Sequence, residues 1–599
     1  MIRILIGFAV IAAALAGFIF TLPAPDPDAD EPGVSGDGPG LAITDVTVFD
    51  GATFSEGQTL VIQGARIAAA GADVDPPDGA RVIDGTGLTA LPGLIDAHTH
   101  SWGDGLEAAL RFGVSAHLDM FSSPLALPQA RAAREDLSVT DTADLFSAGM
   151  LATVEGGHGT QFGVPVETLS SPDDAPAWVA ARQAEGSDYV KLVYIPESPS
   201  LPSLDLATAR AVIEAAHAEG LMAVAHIASL DAAKEMVAAG IDGLVHIFAD
   251  EPADQTFITA ARDADIFVIP TLAVIASVAA TGEGEALADD PRVRERLSPS
   301  ALRGLEGGFG MPPSPRFQYD LAEANVRALH AAGVPILAGS DAPNPGTAYG
   351  ASLHHELQLL ARAGLSSAEA LHAATAGAAD AFDLPERGRI EPGARADLVL
   401  IESDPRQDIA ATLSIVHVIR NGALTQSPAD GPAAPAPAGA ALQTADIADF
   451  AAQTNGFAWV ETTDAMAGGN SQAQSTVMDG ILRTEIAVRT GFPFPWAGPS
   501  YFPASQTVSA LDLSDTSTLV LGLRAAPGTY RVMLFNPGLV GAPPTVSIEL
   551  DETWRTVRLD LTEVDGFDPA AFAGLAVVGG PQPGEAWIEI AQARFEPGP

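Results

Sequence analysis

Short apolar runs that end in a polar residue recur along the first two thirds of the chain. Between residues 98 and 384 these runs alternate with stretches of helical periodicity, such as residues 207–219 and 232–239. The predicted strands end near His100, Met120, Val154, Tyr194, Ile227, Phe248, Leu272 and Asp341. Eight strand–helix units predict an α/β fold, a (β/α)₈ TIM barrel over residues 92–384. Its chemistry should lie at the carboxyl ends of the strands.

Two β-rich segments flank the predicted barrel, at residues 41–91 and 385–425. Both alternate short apolar strands with turn signals such as Asp50-Gly51 and Asn421-Gly422, and we expect them to form one split β-sandwich. A Pro-Ala-rich linker follows at residues 426–439. Residues 440–599 then predict an all-β sandwich or jelly roll. Because the linker offers few groups for a tight interface, the sequence predicts that this accessory domain moves independently.

The amino-terminal residues 1–22 contain an apolar run from residue 4 to residue 22, directly after Arg3. Its length fits either an uncleaved membrane anchor or a cleaved secretory signal. Both readings predict an exported, periplasmic protein that meets the membrane only through this segment. Residues 23–40 are rich in Pro, Asp and Gly, which is typical of a flexible acidic linker.

Charge and composition exclude several classes of function. The 599-residue chain has a formal net charge of -46, so we expect no nucleic-acid partner, because phosphate binding needs clustered Lys and Arg. It contains no cysteine, which excludes disulfides and thiolate metal sites. Any metal site must therefore use histidine, carboxylates or a less usual ligand. Lysine occurs only as Lys191 and Lys234.

Two of the predicted strands carry residues that suit a metal site. His98 and His100 alternate with Thr99, so both side chains leave the strand on the same face and can bind one ion. Alone, this pair fits a polar turn better than a metal site. Lys191 lies inside the apolar run of residues 189–194, where an unpaired ammonium is costly. It is either a strand-end lysine with a solvated head or a carbamate formed with CO₂, which bridges two cations and which arginine cannot form.

Three more strands end in residues that could bind the same metal. His226 and His246 each follow an apolar run, and Asp341 follows Ala338-Gly339-Ser340. Singly, each histidine fits a core position and the aspartate fits a helix N-cap. Together with His98, His100 and Lys191 they form six candidate ligands at the ends of strands one, four, five, six and eight.

This set resembles the amidohydrolase superfamily in its binuclear form with a carboxylated lysine, over residues 41–425. The segments Pro92-Gly93-Leu94-Ile95-Asp96 and Gly156-Gly157-His158-Gly159 are similar to the imidazolonepropionase-related dipeptidase branch. In the last domain, residues 462–471 loosely resemble the complex I intermediate-associated protein family, which has a galactose-binding-like jelly roll.

The resemblance implies two divalent metal ions, with zinc favoured and Mn, Fe or Co compatible. His98, His100 and Asp341 would hold one ion, and His226 and His246 the other. A CO₂-derived carbamate on Lys191 and a hydroxide would bridge them. Asp341 would act as general base and acid. His158 is predicted to have a catalytic or substrate-binding role, and Tyr194 and Trp102 are predicted to contact the substrate.

The sequence therefore predicts a metal-dependent hydrolase of C–N amide bonds, a dipeptidase or an N-acyl amino-acid hydrolase. Its partner would be a dipeptide or other small molecule. A lactonase or phosphotriesterase is the alternative enzyme, since the same hydroxide attacks those centres. A catalytically decayed surface binding protein is the alternative from another class. The sequence leaves self-association into a homo-oligomer open.

Overall fold

A computed structural model describes the fold of the chain over most of its length. The described residues are 40–160, 166–198, 201–309, 317–425, 440–442, 445–451, 454, 457–464, 471–490, 495–503, 510–536, 543–564 and 566–597. The predicted anchor or signal, the linker at 426–439 and all but one residue of the linker at 23–40 lie outside this set. Within the described part, no helix combines the length and apolar character needed to cross a bilayer.

The chain begins with five strands that form most of one sheet. They are β1 (Leu41–Phe49), β2 (Phe54–Gln63), β3 (Arg66–Gly71), β4 (Arg81–Asp84) and β5 (Leu88–Pro92). Alternation of apolar and polar residues along β1 and β2 buries one face of the sheet.

A parallel barrel follows directly after β5. Its strands are β6 (Leu94–Thr99), β7 (Val114–Asp119), β8 (Asp144–Ser147), β9 (Val190–Val193), β10 (Ala223–His226), β11 (Gly243–Val245) and β12 (Phe267–Ile269). The extended residues 336–342 occupy the eighth position, bridging β12 at Ile336 and β6 at Ala342. The third strand was predicted to end near Val154, but regular pairing stops at Ser147, because Gly149 adopts a φ of +64°. The chain regains contact with β9 at Ala152.

Fourteen helices in the described residues surround the barrel or lie over its rim. They are α1 (Gly105–Leu110), α2 (Leu127–Glu135), α3 (Ala175–Glu185), α4 (Leu206–Ala218), α5 (Leu230–Ala239), α6 (Gln255–Asp263), α7 (Leu272–Val278), α8 (Glu283–Ala288), α9 (Pro291–Arg294), α10 (Pro299–Glu306), α11 (Tyr319–Ala331), α12 (Ala351–Ala363), α13 (Ser367–Ala373) and α14 (Ala376–Ala381). Their apolar faces pack on the outside of the strands and form the largest hydrophobic core.

Three strands after the barrel return to the first sheet. They are β13 (Leu398–Glu402), β14 (Ile415–Arg420) and β15 (Ala423–Leu424), and β13 pairs antiparallel with β5. One sheet thus unites the chain segments that enter and leave the barrel. The carboxylate of Asp144 ties this region to β8, because its oxygens accept hydrogen bonds from Arg387 at 2.8 Å, Arg395 at 3.0 Å and Arg420 at 2.5 Å.

The last part of the chain is an all-β domain of two packed sheets. Its strands are β16 (Ala440–Ala441), β17 (Phe457–Thr463), β18 (Gln472–Met478), β19 (Ile481–Val488), β20 (Ala497–Pro503), β21 (Leu511–Asp512), β22 (Thr518–Ala525), β23 (Gly528–Phe535), β24 (Thr545–Leu550), β25 (Arg555–Asp560), β26 (Gly574–Gly579) and β27 (Gly584–Glu596). One five-stranded sheet has the order β17-β20-β26-β23-β24, and the other has the order β18-β19-β27-β22-β25. A separate apolar core lies in this domain.

Candidate metal centre

His98 and His100 lie at the end of β6, at the mouth of the barrel. Their ring centroids are 5.6 Å apart, and both side chains line the same cavity, as the strand alternation predicts. His98 is buried, and His100 keeps partial exposure toward the cavity. Burial lowers the pKa of His98 to about 3. The imidazole of His98 is therefore neutral near pH 7 and can offer a lone pair to a cation.

Lys191 lies within β9 and reaches the same cavity. Its side chain is buried, with a relative exposure of 3% for the residue. Burial lowers the pKa of the amine to about 7, although the nearby carboxylate of Asp341 acts in the opposite direction. A large fraction of this lysine is consequently uncharged at neutral pH, and the uncharged amine is the form that adds CO₂.

His226 ends β10 and His246 follows β11, with their ring centroids 4.5 Å apart. Nδ1 of His246 lies 2.7 Å from Oγ1 of Thr271, and that hydroxyl donates its proton to the carbonyl of Pro270 at 2.8 Å. A hydroxyl has a single proton, so Nδ1 of His246 must be the donor in the first contact. Nε2 of His246 then carries the lone pair, which is the arrangement of a metal-ligating histidine.

Asp341 stands at the end of the eighth strand position, facing β6. Its Oδ1 lies 3.1 Å from Nε2 of His98 and 3.2 Å from Nε2 of His100. Burial acts to raise the pKa of Asp341, but the adjacent imidazoles of His98 and His100 outweigh it and hold this pKa well below its usual value. The carboxylate is therefore ionised in the cavity.

Three residues of the site adopt the left-handed backbone region without being glycine. The φ angles are 70° for His246, 52° for Thr271 and 54° for Asp341. Such conformations cost about 1–3 kcal/mol each and concentrate at functional sites, where the surrounding fold imposes them. Two of these strained residues, His246 and Asp341, are candidate ligands that line the cavity. The third, Thr271, is the hydrogen-bond partner of His246.

The donor set fits a divalent metal ion. The ligand atoms of His98, His246 and Asp341 lie within 4.8 Å of one another. Oδ1 of Asp341 is buried and finds no hydrogen-bond partner of normal geometry among the described residues, as expected of an atom whose partner is an ion. Imidazole and carboxylate together suit zinc and also Mn, Fe or Co. This compact group joins His246 to His98 and Asp341, and the ring of His246 also lies 4.5 Å from that of His226, its predicted partner at the second ion.

A buried acid, Asp96, holds the two strands of this group together. One of its oxygens accepts from the backbone N–H of Ser340 at 2.9 Å, and the other accepts from the Ser340 hydroxyl at 2.6 Å. Burial raises the pKa of Asp96 to about 7, against these hydrogen bonds. Close approach also requires Gly339, since a Cβ there would lie 2.8 Å from the backbone nitrogen of His98. Asp96 and Gly339 thereby fix His98 beside Asp341.

Glu356 performs a similar role on the opposite side of the cavity. This residue of α12 is fully buried, and its oxygens accept from the backbone N–H groups of Leu272 at 2.9 Å and Ala273 at 2.8 Å. Both N–H groups belong to the first turn of α7, where they have no acceptor within the helix itself. Burial raises the pKa of Glu356 to about 8. The contact anchors the turn that contains Thr271, the partner of His246.

The three predicted substrate contacts have different outcomes. His158 lines the cavity, with its ring centroid 5.0 Å from that of His226, and burial lowers its pKa to about 4. Trp102 also lines the cavity, with its centroid 5.7 Å from that of His100. Tyr194 instead directs its hydroxyl to Glu235 on α5 and is not among the cavity-lining residues. Since Lys191 and Val193 face the cavity, strand alternation turns Tyr194 the other way.

The cavity around these residues measures about 800 Å³, and two domains line it. The barrel contributes the polar floor and apolar residues of α7. The C-terminal domain contributes Thr462, Trp496, Phe502, Met533, Phe535, Asn536 and Pro543. The sequence predicted an accessory domain without a role at the site; the structure instead places one sheet of this domain over the barrel mouth.

Comparison with known proteins agrees with the fold. Residues 175–425 match the amidohydrolase family. The chain is 28% identical over 399 residues to imidazolonepropionase from Anaeromyxobacter dehalogenans, covering 61% of this chain and 88% of that protein.

Solved structures share the fold over about the same region. A Xaa-Pro dipeptidase with bound methionine superposes with a TM-score of 0.52 at 20% identity, covering 65% of this chain and 100% of that one. Phenylurea hydrolase B gives a TM-score of 0.52 at 21% identity, covering 66% and 99% of the two chains.

Proposed function

Because the barrel of this chain belongs to the amidohydrolase family, we propose that the protein hydrolyses C–N amide bonds with the help of two divalent metal ions. One observation carries the proposal. A buried lysine whose amine has a pKa of about 7 lines one cavity with four candidate histidine ligands and an ionised aspartate. An amine kept uncharged in such a place suits a bridging carbamate better than a structural role.

His98, His246 and Asp341 would hold one ion, and His226 and the Lys191 carbamate would complete the site for the second. His100 would join the first group through its Nε2, which faces Asp341 at 3.2 Å. When bound, two such cations lower the pKa of water and polarise a carbonyl. Zinc is the metal that best matches this donor set.

The side chains of the site supply the remaining steps. Asp341 is ionised and sits beside the two β6 imidazoles, so it can accept the proton of the attacking water and return it to the leaving nitrogen. His158 is neutral and buried over His226, where its ring can donate a hydrogen bond to the carbonyl oxygen of the substrate. Trp102 and Tyr349 border the same space.

Two alternatives share parts of this geometry. Lactones and phosphotriesters present electrophilic centres that the same activated water attacks, so they belong in any substrate screen. A decayed binding protein would have lost ligands or their supports. Here the six candidate ligands and the buried supports Asp96, Thr271 and Glu356 are all present.

The test compares the two lysines of the chain. Elemental mass spectrometry of the wild-type protein should find about two metal ions per chain. In a panel of amides, lactones and phosphotriesters, the wild-type protein should hydrolyse amides. Lys191→Ala should lose at least one ion and most activity, and short carboxylic acids should restore part of both. Lys234→Ala is the matched control, since Lys234 pairs with Asp254 at 2.6 Å on the surface. Full metal content and activity in Lys191→Ala would refute the proposed bridge.

We further propose that the enzyme works outside the cytoplasm. The apolar run at residues 4–22, directly after Arg3, supports export. Cell fractionation tests this proposal: the protein should be found in the periplasm or on the outer side of the cytoplasmic membrane. Recovery from the cytoplasm with Met1 intact would contradict it.

A further inference from the structure

The outer face of one sheet of the C-terminal domain is apolar, although the core of this domain lies on its other side. Along β23, Tyr530, Val532 and Leu534 point into the domain core. The alternate residue Met533 packs with Ala576 and Val578 of β26 in a second cluster, against which Trp496 and Phe535 also pack. A sheet face open to water normally carries polar residues. This face is buried instead, with Met533 only 5% exposed.

The apolar face forms the roof of the cavity that contains the candidate metal ligands. Trp496, Phe502, Met533 and Phe535 line it from the C-terminal domain. From the barrel, Val274, Ile275 and Val278 of α7 line it together with Phe309 and Phe317. The space beyond the polar floor is thus enclosed by aromatic and aliphatic side chains from two domains. A bound group in this space would transfer from water into an apolar environment.

Away from the candidate metal ligands, the described lining of the cavity has no cationic side chain that could pair with an ionised substrate. Among the described lining residues, Lys191 is the one lysine or arginine, and its amine is assigned to the metal bridge. Arg531 lies on the same strand face as Met533 but does not line the cavity. The net charge of -46 adds an unfavourable field for anions. A free carboxylate next to the roof would lose hydration and find only neutral polar side chains, those of Thr462 and Asn536, among the lining residues of the C-terminal domain.

We propose that the C-terminal domain selects substrates in which an uncharged, bulky apolar group flanks the scissile amide, in preference to free dipeptides. This inference rests on the proposed amide hydrolysis and names its substrate class. The roof residues Met533 and Phe535 receive the apolar group, while the amide lies over the candidate metal ligands. Trp496 and Phe502 extend the same surface.

A matched pair of substrates tests the preference on the full, metal-loaded chain. The p-nitroanilide of hexanoic acid and the mono-p-nitroanilide of adipic acid have the same length, but a carboxylate replaces the terminal methyl in the second. The leaving group is identical in both. We expect kcat/KM to be at least about tenfold higher for the hexanoyl compound, and to fall again for the acetyl compound, which cannot reach the roof. Equal or reversed values for the pair would overturn the inference.

Variants of the roof assign the preference to the C-terminal domain. Phe535→Ala should raise KM for the hexanoyl compound about tenfold and should affect the acetyl compound much less, so that the preference between the two compounds shrinks at normal metal content. Trp554→Ala is the control, because Trp554 is an exposed aromatic of the same domain that does not line the cavity. An unchanged KM in Phe535→Ala, together with an unchanged KM in Met533→Ala, would contradict a role of the roof.

A binding measurement separates this inference from the proposed function. Calorimetry on Asp341→Asn protein, with its metal content measured in parallel, should show the hexanoyl anilide binding at least about tenfold more tightly than the adipoyl anilide, while the slowed turnover leaves both compounds intact during the titration. If the wild type cleaves no amide but this difference persists, the proposed reaction fails and the cavity preference stands. If the wild type cleaves dipeptides better than their uncharged analogues, the reaction stands and the preference is refuted.

Discussion

Nδ1 of His246 donates to Oγ1 of Thr271 across 2.7 Å, and this bond leaves Nε2 of His246 free to bind a metal ion. Thr271→Val keeps the shape of the side chain but removes the acceptor. We expect metal affinity to fall about 10–100-fold, as for other lost partners of ligating histidines. Competition with a chelator measures the metal affinity. Thr271→Ser keeps the hydroxyl and should retain the affinity; equal losses in both variants would show that packing is responsible.

Asp341→Asn should remove the group that accepts the proton of the attacking water. We expect turnover to fall at least about a hundredfold, in line with lost general-base catalysis. Steady-state kinetics with parallel metal analysis checks this, and Asp383→Asn, at an exposed position, serves as the control. Unchanged turnover at normal metal content would mean that another residue moves the proton.

The buried carboxyl of Glu356 should make stability depend on pH. Burial raises its pKa to about 8 from the ordinary value of 4.5. Between these values the folded protein keeps a proton that the unfolded chain releases, so this group's contribution to stability falls as pH rises and becomes constant above about pH 8. Glu356→Gln cannot titrate. The melting temperature of Glu356→Gln relative to wild type should therefore increase from pH 5 to pH 8, and a constant difference would contradict the raised pKa.

The carboxylate of Asp144 should be essential for joining the first sheet to the barrel. Its side chain is buried, and so are those of Arg395 and Arg420, which it pairs with at 3.0 and 2.5 Å. Asp144→Ala would leave Arg395 without its anion and Arg420 with Asp397 alone, at 2.8 Å, and we expect the free energy of unfolding to fall by about 3–5 kcal/mol. Unfolding by denaturant measures this loss of stability. Asp551→Ala, which removes an exposed pair with Arg555, should leave the unfolding midpoint unchanged.

The barrel and its candidate ligands could be predicted because their signals are local. Each predicted ligand except Lys191 lies at the end of an apolar strand run, and Lys191 interrupts one. The alternation rule was also enough to place Tyr194, which follows Lys191 by three positions and must face away from it. The prediction that Tyr194 contacts the substrate did not take this alternation into account. Asp96 was not predicted as a functional position, although an acid inside an apolar strand run is a local signal that could have identified it.

Other features of the site have no local signal. Thr271 gains its role from a left-handed turn, and Glu356 from the packing of α12 against α7, 84 residues away along the chain. The roof depends on how the C-terminal domain is placed over the barrel, and periodicity within a strand carries no information about the orientation of a neighbouring domain. The sequence therefore predicted only that this domain moves independently, and on that basis a chain truncated near Gln426 would keep its metal and its turnover on small substrates. With the roof removed, we expect it to lose the preference for apolar substrates.

The scarcity of lysine gives this enzyme an internal chemical reporter. Lys191 is buried in the cavity, while Lys234 lies on the surface. An acylating mass tag should modify Lys234 in the folded protein and so provide a reference for the dose of reagent. The tag can modify Lys191 only when that amine carries no carbamate and the reagent can enter the cavity. The ratio of the two labelled peptides therefore counts the fraction of molecules with an assembled centre, even before any substrate is known.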